Sequence, residues 1–507
     1  MERLGISKNS SFILHIGIHM RLKFLFFINS KEETEMTVEG KNDVDLLVIG
    51  AGSGGYVAAI RAAQLGKNVV LVDKAELGGV CLNRGCIPSK ALISASERVK
   101  HIKQANSMGI KVSGEVEVEM PEVVKWKDGI VNKLTNGVRT LLKGNGVEVI
   151  SGEAYLTEPY VAKIIIGNEE KFFSYKDLIL AIGSLPTELK SMPFDKKRII
   201  SSTEALMLQE VPKHLVVVGG GYIGLELGTA YAKFGAKVTI LEGSDTILPG
   251  TDPMLTNVVK RHLKELGITV ITNALVQGGE NTGDEVNVQV QVNGKEEIIK
   301  GDYCLISIGR KPNTGKVGLE NIGVELDQRA FIKINDKCQT NVEHVYAIGD
   351  CAGGYLLAHK ASYEGKIAAE VISGLKSVID FQAMPFVIFS DPEVAYTGLT
   401  EKEAKEEGYE TVSSRFPFQA NGRALSVSDA DGFVQVVAEK ESNRVLGVQM
   451  VGPEVSSLIA EAVFAIESGA TAEDLSLTIH AHPTLPEPLM EAAEGVMGHA
   501  IHMLNKK

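Results

Sequence analysis

At 507 residues the chain is long enough for about three or four domains of ~100–200 residues. Its 44% apolar and 23% charged residues suit a globular protein with ample core. A net charge of −12 excludes nonspecific nucleic-acid binding, which needs clustered Lys and Arg, and five unevenly spaced cysteines exclude a secreted disulfide scaffold.

Residues 1–36 differ in character from the rest of the chain. Two apolar stretches, Ser11 to Met20 and Phe24 to Ile28, are separated by Arg21 and Lys23. Neither reaches the ~20 residues of a membrane span. The charged break, without a small-residue cleavage site, argues against a secretory signal. A basic presequence competes with the plainer expectation, a disordered extension or a misassigned start ahead of Met36. No membrane association is expected.

Asp45 to Ile49 is a short apolar run of the buried parallel-strand type. Gly50-Ala51-Gly52-Ser53-Gly54-Gly55 follows, then an Ala-rich helical stretch from Tyr56 to Leu65 and a second strand, Val69 to Val72, ending at Asp73. Strand, glycine turn, helix, strand and acid form the dinucleotide fingerprint in its required context. The glycines permit a tight turn beside pyrophosphate, and the acid suits a ribose hydroxyl.

Next comes Gly78-Gly79-Val80-Cys81-Leu82-Asn83-Arg84-Gly85-Cys86-Ile87-Pro88-Ser89-Lys90. Cys81 and Cys86 are close enough to close a short disulfide loop that opens and closes during turnover. Zinc is the competing use, but no second pair or histidine set follows nearby. Glu122 to Leu142 reads as an amphipathic helix with the only tryptophan, Trp126, as a core anchor. Asp177 to Ser184 reads as a strand leaving the first domain.

The fingerprint then recurs. Leu215 to Val218 leads into Gly219-Gly220-Gly221-Tyr222-Ile223-Gly224, a helix through Phe234, and a strand ending at Glu242. Two copies imply two dinucleotide sites. An acid at Glu242 repels a 2′-phosphate, so the second ligand is expected to be NAD(H) rather than its phosphorylated form. Val286 to Ile299 alternates around Asn293-Gly294 as a hairpin. Ile308-Gly309-Arg310-Lys311-Pro312-Asn313-Thr314 echoes the earlier strand exit, and Ala347-Ile348-Gly349-Asp350 ends another strand with an acid suited to a flavin ribityl chain.

From about Met384 the pattern turns to short alternating strands with helices at Val455–Ser468 and Pro488–Ile501, an interface domain without a cofactor motif. Between those helices, His480-Ala481-His482-Pro483-Thr484-Leu485-Pro486-Glu487 offers a histidine base with a carboxylate to orient it. A flavin exchanges two electrons with a thiol pair and passes hydride to a nicotinamide, so FAD and NAD would use every one of these parts.

On these motifs, from about Met36 to its end, the chain resembles the pyridine nucleotide–disulfide oxidoreductases, and within them the lipoamide branch. The Ile-Pro-Ser-Lys tail and Glu242 favour that branch over the glutathione branch. The resemblance implies an α/β fold: two Rossmann-like dinucleotide-binding domains plus a C-terminal α+β dimerisation domain. The expected division is an extension at 1–36, FAD-binding residues 37–187, NAD-binding residues 188–312, a central part at 313–383 completing the FAD site, and a dimerisation domain at 384–507.

The implied activity is oxidation of protein-bound dihydrolipoamide through Cys81 and Cys86 and FAD, with hydride passed to NAD⁺. Cys81 would be the interchange thiol and Cys86 the thiol facing the flavin. Lys90 and Glu226 would pair near the flavin and nicotinamide. His482 would be the base and Glu487 its orienting partner, reaching the cysteines across a homodimer. FAD would be held by Gly50, Gly52, Gly55, Asp73, Lys90, Gly349, Asp350, Ala358 and His359. NAD would be held by Gly219, Gly221, Gly224, Glu226, Glu242 and Gly309. No metal is expected. The partner would be a lipoyl domain of a 2-oxo acid or acetoin dehydrogenase complex, in the cytoplasm.

Arg84 stands where the family commonly has a small apolar residue and is expected to perturb thiol pKa or substrate approach. Asp73 is a shorter acid than usual, Pro486 replaces a common Ser, and Cys351 is expected to be a packed thiol. Mercuric reductases typically add C-terminal cysteines, but none follows Cys351. A noncatalytic flavoprotein would have no use for the cysteine pair, His482 and Glu487.

Overall fold

The structure, a computed structural model, describes residues 42–505; the expected N-terminal extension lies outside them. Strand β1 (Asn42–Ile49) turns at Gly50 into α1 (Ser53–Gln64), which returns to β2 (Val69–Asp73). Leu46, Leu47 and Val48 are fully buried, because helices cover both faces of a parallel sheet. Each such side chain contributes roughly 1.5–3 kcal/mol by leaving water. Gly50 has φ +102°, and a Cβ on Gly55 would lie 1.8 Å from the Gly50 carbonyl oxygen, so neither position tolerates a side chain.

The cysteine segment is helical: α2 (Gly79–Arg84) breaks at Gly85 and resumes as α3 (Cys86–Gln104). Helix α4 (Met120–Gly144) leads to β3 (Glu148–Ser151), and the strands β4 (Glu153–Glu158), β5 (Val161–Ile166) and β6 (Glu169–Leu180) come next. The sheet order is β3-β2-β1-β6-β5-β4, with β4 to β6 antiparallel and the others parallel. Trp126 is not the expected core anchor but is 50% exposed. The buried stripe of α4 runs through Val124, Lys127, Val131, Val138 and Leu142, and Trp126 falls out of that phase.

Strand β7 (Ser184–Pro186) leads to β8 (Ile199–Ile200), α5 (Ser202–Ala205) and β9 (His214–Val218). The second fingerprint continues as α6 (Tyr222–Phe234) and β10 (Lys237–Leu241), then α7 (Pro253–Glu265) and β11 (Thr269–Ile271). An antiparallel excursion of β12 (Ala274–Asn281), β13 (Val286–Val292) and β14 (Lys295–Gly301) turns at Asn293-Gly294, as read from the sequence. Strand β15 (Tyr303–Ile306) completes the order β11-β10-β9-β15-β8. Strand β16 (Arg310–Pro312) pairs antiparallel with β7, so the chain leaves and re-enters the first unit through one two-stranded ribbon. Strand β17 (Val345–Ala347) then joins the first sheet beside β6, and α8 (Ala358–Ile372) packs on α1. A Cβ on Gly365 of α8 would lie 2.6 Å from the Gly54 carbonyl oxygen, so glycine sets this helix separation.

The last unit is an antiparallel sheet of order β18-β19-β22-β21-β20. Its strands are β18 (Phe386–Ile388), β19 (Glu393–Gly398), β20 (Thr411–Pro417), β21 (Phe433–Glu439) and β22 (Val445–Gly452), with short helices α9 (Glu401–Glu406) and α10 (Gly422–Ser426) between them. Helices α11 (Val455–Glu467), α12 (Ala472–Leu477) and α13 (Glu487–Val496) complete it. Helix α13 ends before the expected Ile501; Gly498, at φ +74°, lies just past its end. Phe464, Leu477 and Ile479 lie exposed on this unit.

The three units meet at a buried charge cluster. The Asp391 carboxylate takes Lys100 of α3 at 2.6 Å and Lys233 of α6 at 3.0 Å. Burial would raise its pKa, but the His262 hydrogen bond and the two lysine charges outweigh that and hold it well below the usual range. His262 of α7 also meets Asp431 at 2.8 Å; its hydrogen bond to Asp391 raises its pKa more than burial lowers it. A raised folded pKa stabilises the protein fully below the unfolded value near ~6.5 and is lost as pH climbs through the folded value. His262→Gln is therefore expected to cost about 1.5–3 kcal/mol at pH 6 and less at pH 9, read as the gap in thermal midpoint from the native chain. An equal gap at both pH values would remove His262 titration from the account.

Candidate active site

A groove of about 350 Å³ opens where the first two units face each other. Gly50, Gly52 and Gly79 form part of its floor. A Cβ on Gly52 would project into open space, whereas one on Gly79 would lie 2.6 Å from the Gly52 Cα. Helix α1 starts at Gly52 without a side-chain cap, leaving its first-turn N–H groups for an anion. Asp73 stands at one end, its Oδ2 accepting the Ala51 N–H at 2.5 Å and its Oδ1 the Ala75 N–H at 2.7 Å. The bare glycine floor and free helix terminus suit the pyrophosphate of a dinucleotide, and the adjoining acid suits its ribose.

Cys81 and Cys86 line the same groove as free thiols on either side of the α2–α3 break. The Cys86 thiol donates to Cys81 and lowers its pKa to about 7, against burial and with help from Ser53 and the Lys90 charge. Cys86 is pushed the other way, first by holding that proton and then by its packed surroundings, although it also presents surface to the groove. One thiolate shared by two sulfurs is the nucleophilic form of a redox dithiol. Asn83 secures the turn, its Nδ2 donating to the Leu77 and Gly79 carbonyl oxygens at 2.9 Å each.

Arg84 lines the groove, where it can still bear on substrate approach, but it is not the cation that shifts the thiols. Its guanidinium turns out to Glu76 at 2.7 Å, and the cation acting on both thiols is Lys90. Lys90 meets Glu226 of α6 at 2.8 Å and sits over the Phe389 ring. Glu226 is 5% exposed, and its other oxygen accepts the Phe389 N–H at 3.1 Å. This pair ties α3 to the second unit directly behind the cysteines.

Gly349, Asp350 and Ala358 line the far side of the groove, brought there by β17 and α8. Asp350 accepts Ser184 Oγ–H at 2.5 Å, and Arg310 Nε donates to the same Ser184 oxygen at 2.7 Å. Ser53, Ser184, Tyr222 and Arg310 were not singled out from the sequence, yet all line the groove. Arg310 had a signal in the Ile-Gly-Arg-Lys-Pro-Asn string; Ser184 had none beyond a small-residue strand exit. Burial raises the Tyr222 hydroxyl to about 12. Gly55 shapes the turn rather than the lining, and His359 faces the Pro385 carbonyl oxygen at 3.0 Å, outside it. Cys351 is a packed thiol, its Sγ 3.3 Å from both the Leu180 and the Ile348 carbonyl oxygens, either of which can accept its one proton.

The second glycine turn repeats the first. Glu242 Oε2 accepts the Gly220 N–H at 2.6 Å and Oε1 accepts the Ser244 N–H at 2.8 Å, as Asp73 does for its own turn. Gly219 has φ +105°, a Cβ on Gly224 would lie 2.2 Å from the Gly219 carbonyl oxygen, and α6 begins at Gly221 without a side-chain cap. A Cβ on Gly309 would meet open space beside it. Gly219, Gly221, Gly224, Glu242 and Gly309 lie outside the first groove, while Glu226 lines it.

His482 and Glu487 form a dyad apart from both turns. His482 Nδ1 lies 2.8 Å from Glu487 Oε1, and Glu487 Oε2 accepts the Thr484 N–H at 2.7 Å. Burial would raise Glu487, but the Thr484 and His482 hydrogen bonds hold it below the usual carboxylate range. The His482 side chain is 79% exposed and does not line the cysteine groove of its own chain. Among the described residues, no cluster of His, Cys, Asp or Glu could hold a metal ion and no helix is long and apolar enough to cross a membrane.

Residues 44–365 match the family described as pyridine nucleotide-disulphide oxidoreductase, and residues 384–493 match its dimerisation domain. The dihydrolipoyl dehydrogenase of Geobacillus stearothermophilus is 52% identical over 464 residues, 92% of this chain and 98% of that protein. The dihydrolipoyl dehydrogenase of Bacillus subtilis is 51% identical over 91% of this chain and 98% of its own. The solved structure of LpdA from Mycobacterium tuberculosis matches with a TM-score of 0.83 at 27% identity, over 89% of this chain and 99% of that one.

Proposed function

This chain belongs to the pyridine nucleotide-disulphide oxidoreductases, and from that membership we infer that it is a dihydrolipoyl dehydrogenase, oxidising dihydrolipoamide to lipoamide with NAD⁺ as electron acceptor. The observation that carries this reading is the thiol pair sharing one groove with a dinucleotide turn and the Lys90–Glu226 bridge. Gly50, Gly52, Asp73 and Asp350 would hold FAD, which would supply the two-electron relay between the thiol pair and NAD⁺. Gly219, Gly221 and Gly224 of the second turn would hold NAD, with Glu242 for its ribose.

In the cycle proposed for the remaining residues, His482 Nε2 takes a proton from the incoming dithiol while Glu487 holds Nδ1. The substrate thiolate attacks Cys81 Sγ of the Cys81–Cys86 disulfide, forming a mixed disulfide and releasing Cys86 as a thiolate. The second substrate thiol gives its proton to the cysteine pair as its sulfur displaces Cys81 from the first, lipoamide leaves, and the chain holds two reduced cysteines that share one thiolate. A Cys81 pKa of about 7 makes it a competent leaving group near neutral pH. Lys90 balances the negative charge held by the thiol pair, and Glu226 fixes Lys90.

The chain is a homodimer through its C-terminal unit. In our reading each dyad serves the other subunit's cysteines, which accounts for an exposed base outside its own groove. The same reading keeps the division at 37–187, 188–312, 313–383 and 384–507, and makes the partner a lipoyl domain of a 2-oxo acid or acetoin dehydrogenase complex in the cytoplasm. The purified protein is expected to be yellow and to form NADH from NAD⁺ and dihydrolipoamide. Faster turnover with NADP⁺ would refute the role given to Glu242.

A further inference from the structure

Asn421 lies in the connection between β20 and β21, 63 residues before Thr484 of the dyad loop, and is 4% exposed. Its Nδ2 donates to the Thr484 carbonyl oxygen at 2.9 Å, and its Oδ1 accepts the Ala424 N–H at 2.9 Å, capping α10. A backbone N–H only donates and a carbonyl oxygen only accepts, so the two contacts together fix which end of the amide is oxygen. The site needs one donor and one acceptor on the same short side chain, which is what an amide supplies.

Thr484 is held at each of its polar groups. Its carbonyl oxygen takes Asn421, its hydroxyl donates to the Ala481 carbonyl oxygen at 2.6 Å, and its N–H donates to Glu487 Oε2 at 2.7 Å. Glu487 Oε1 in turn meets His482 Nδ1 at 2.8 Å. A continuous path of hydrogen bonds and backbone therefore runs from the interior of the C-terminal unit, through Thr484, to the ring of an exposed histidine. Leu485, the next residue, is buried in the same apolar cluster as Phe418 and Ala424. That contact sets the depth of the loop, but it is not directional. The Asn421 bond is directional and fixes how the Thr484 backbone is turned toward Glu487.

We propose that Asn421 is a positioning residue for thiol exchange: it fixes the Thr484 backbone, Thr484 fixes Glu487, and Glu487 aims His482 Nε2 at the incoming dithiol. The inference rests on His482 being the base of the proposed cycle. Asn421 does not line the cysteine groove. The His482 side chain is 79% exposed, so little packing holds its ring, and its aim depends on the carboxylate behind it. Misplacing a reacting group by about 1 Å costs up to roughly 10²-fold in rate.

The test is Asn421→Asp in the FAD-loaded homodimer at pH 8. Aspartate keeps an oxygen for the Ala424 N–H but turns a second acceptor, in place of a donor, on the Thr484 carbonyl oxygen. NADH formation from dihydrolipoamide is expected to fall by roughly 5- to 100-fold. Electron flow from NADH to an artificial acceptor, which does not use the dyad, should stay within about twofold of native. In a His482→Ala background the same replacement should cost less than about twofold more, because no base remains to be aimed. A loss below about fivefold in the otherwise native chain would overturn the proposal. So would an equal loss with the artificial acceptor or in the His482→Ala background, either of which shows that Asn421 only supports the fold. If the aspartate variant does not fold, Asn421→Ala, which removes both contacts, decides by the same three measurements. Unchanged dihydrolipoamide turnover in His482→Ala alone would instead refute the proposed base, so the two failures are distinct.

Discussion

Cys86→Ser is expected to reduce dihydrolipoamide-dependent NADH formation to background while FAD stays bound and the fold is kept. Serine matches cysteine closely in shape, and Cys86 presents part of its surface to the groove, so the replacement should change stability by no more than about 0.5 kcal/mol. The loss is chemical: a hydroxyl forms no disulfide with Cys81, so no bond remains for the substrate thiolate to attack. Electron flow from NADH to an artificial acceptor that bypasses the cysteines should survive, which separates lost exchange chemistry from a lost cofactor. Unchanged lipoamide turnover would refute the role of Cys86.

His482→Ala should lower dihydrolipoamide turnover by roughly 10²–10⁴-fold, the usual effect of removing a general base. The side chain is so exposed that truncation opens no cavity, and unfolding is not expected to confuse the measurement. A loss below tenfold would make His482 structural. Mixing the two inactive homodimers sharpens the test. If the dyad acts across the interface, a hybrid of Cys86→Ser and His482→Ala subunits regains one complete site. If it acts within its own chain, no site is regained.

Much of this was legible in the sequence because it is local. The glycine turns declare themselves: Gly50 needs a positive φ and Gly55 has no room for a Cβ, so their residue types report backbone geometry directly. The Asn293-Gly294 hairpin is legible for the same reason. Trp126 shows where local reading fails, since the side of α4 that becomes buried depends on what packs against it. Arg84 was assigned by its place between two cysteines, but a long side chain reaches several ångströms and found Glu76.

The sequence by itself determined the two dinucleotide units, the thiol pair and the histidine–carboxylate dyad, because each is written in a few residues whose spacing matches one turn or one strand end. Only the tertiary structure decided how they combine. Pairing of β17 with β6 carries Asp350 to Ser184, and the β7–β16 ribbon returns Arg310 to the same oxygen. The packing of α3 on α6 joins Lys90 to Glu226. Likewise the contact of His480 Nε2 cannot be read from its loop, because its partner Glu461 comes from a different helix. Such contacts lie far apart along the chain and depend on sheet register and helix packing, which no local spacing encodes.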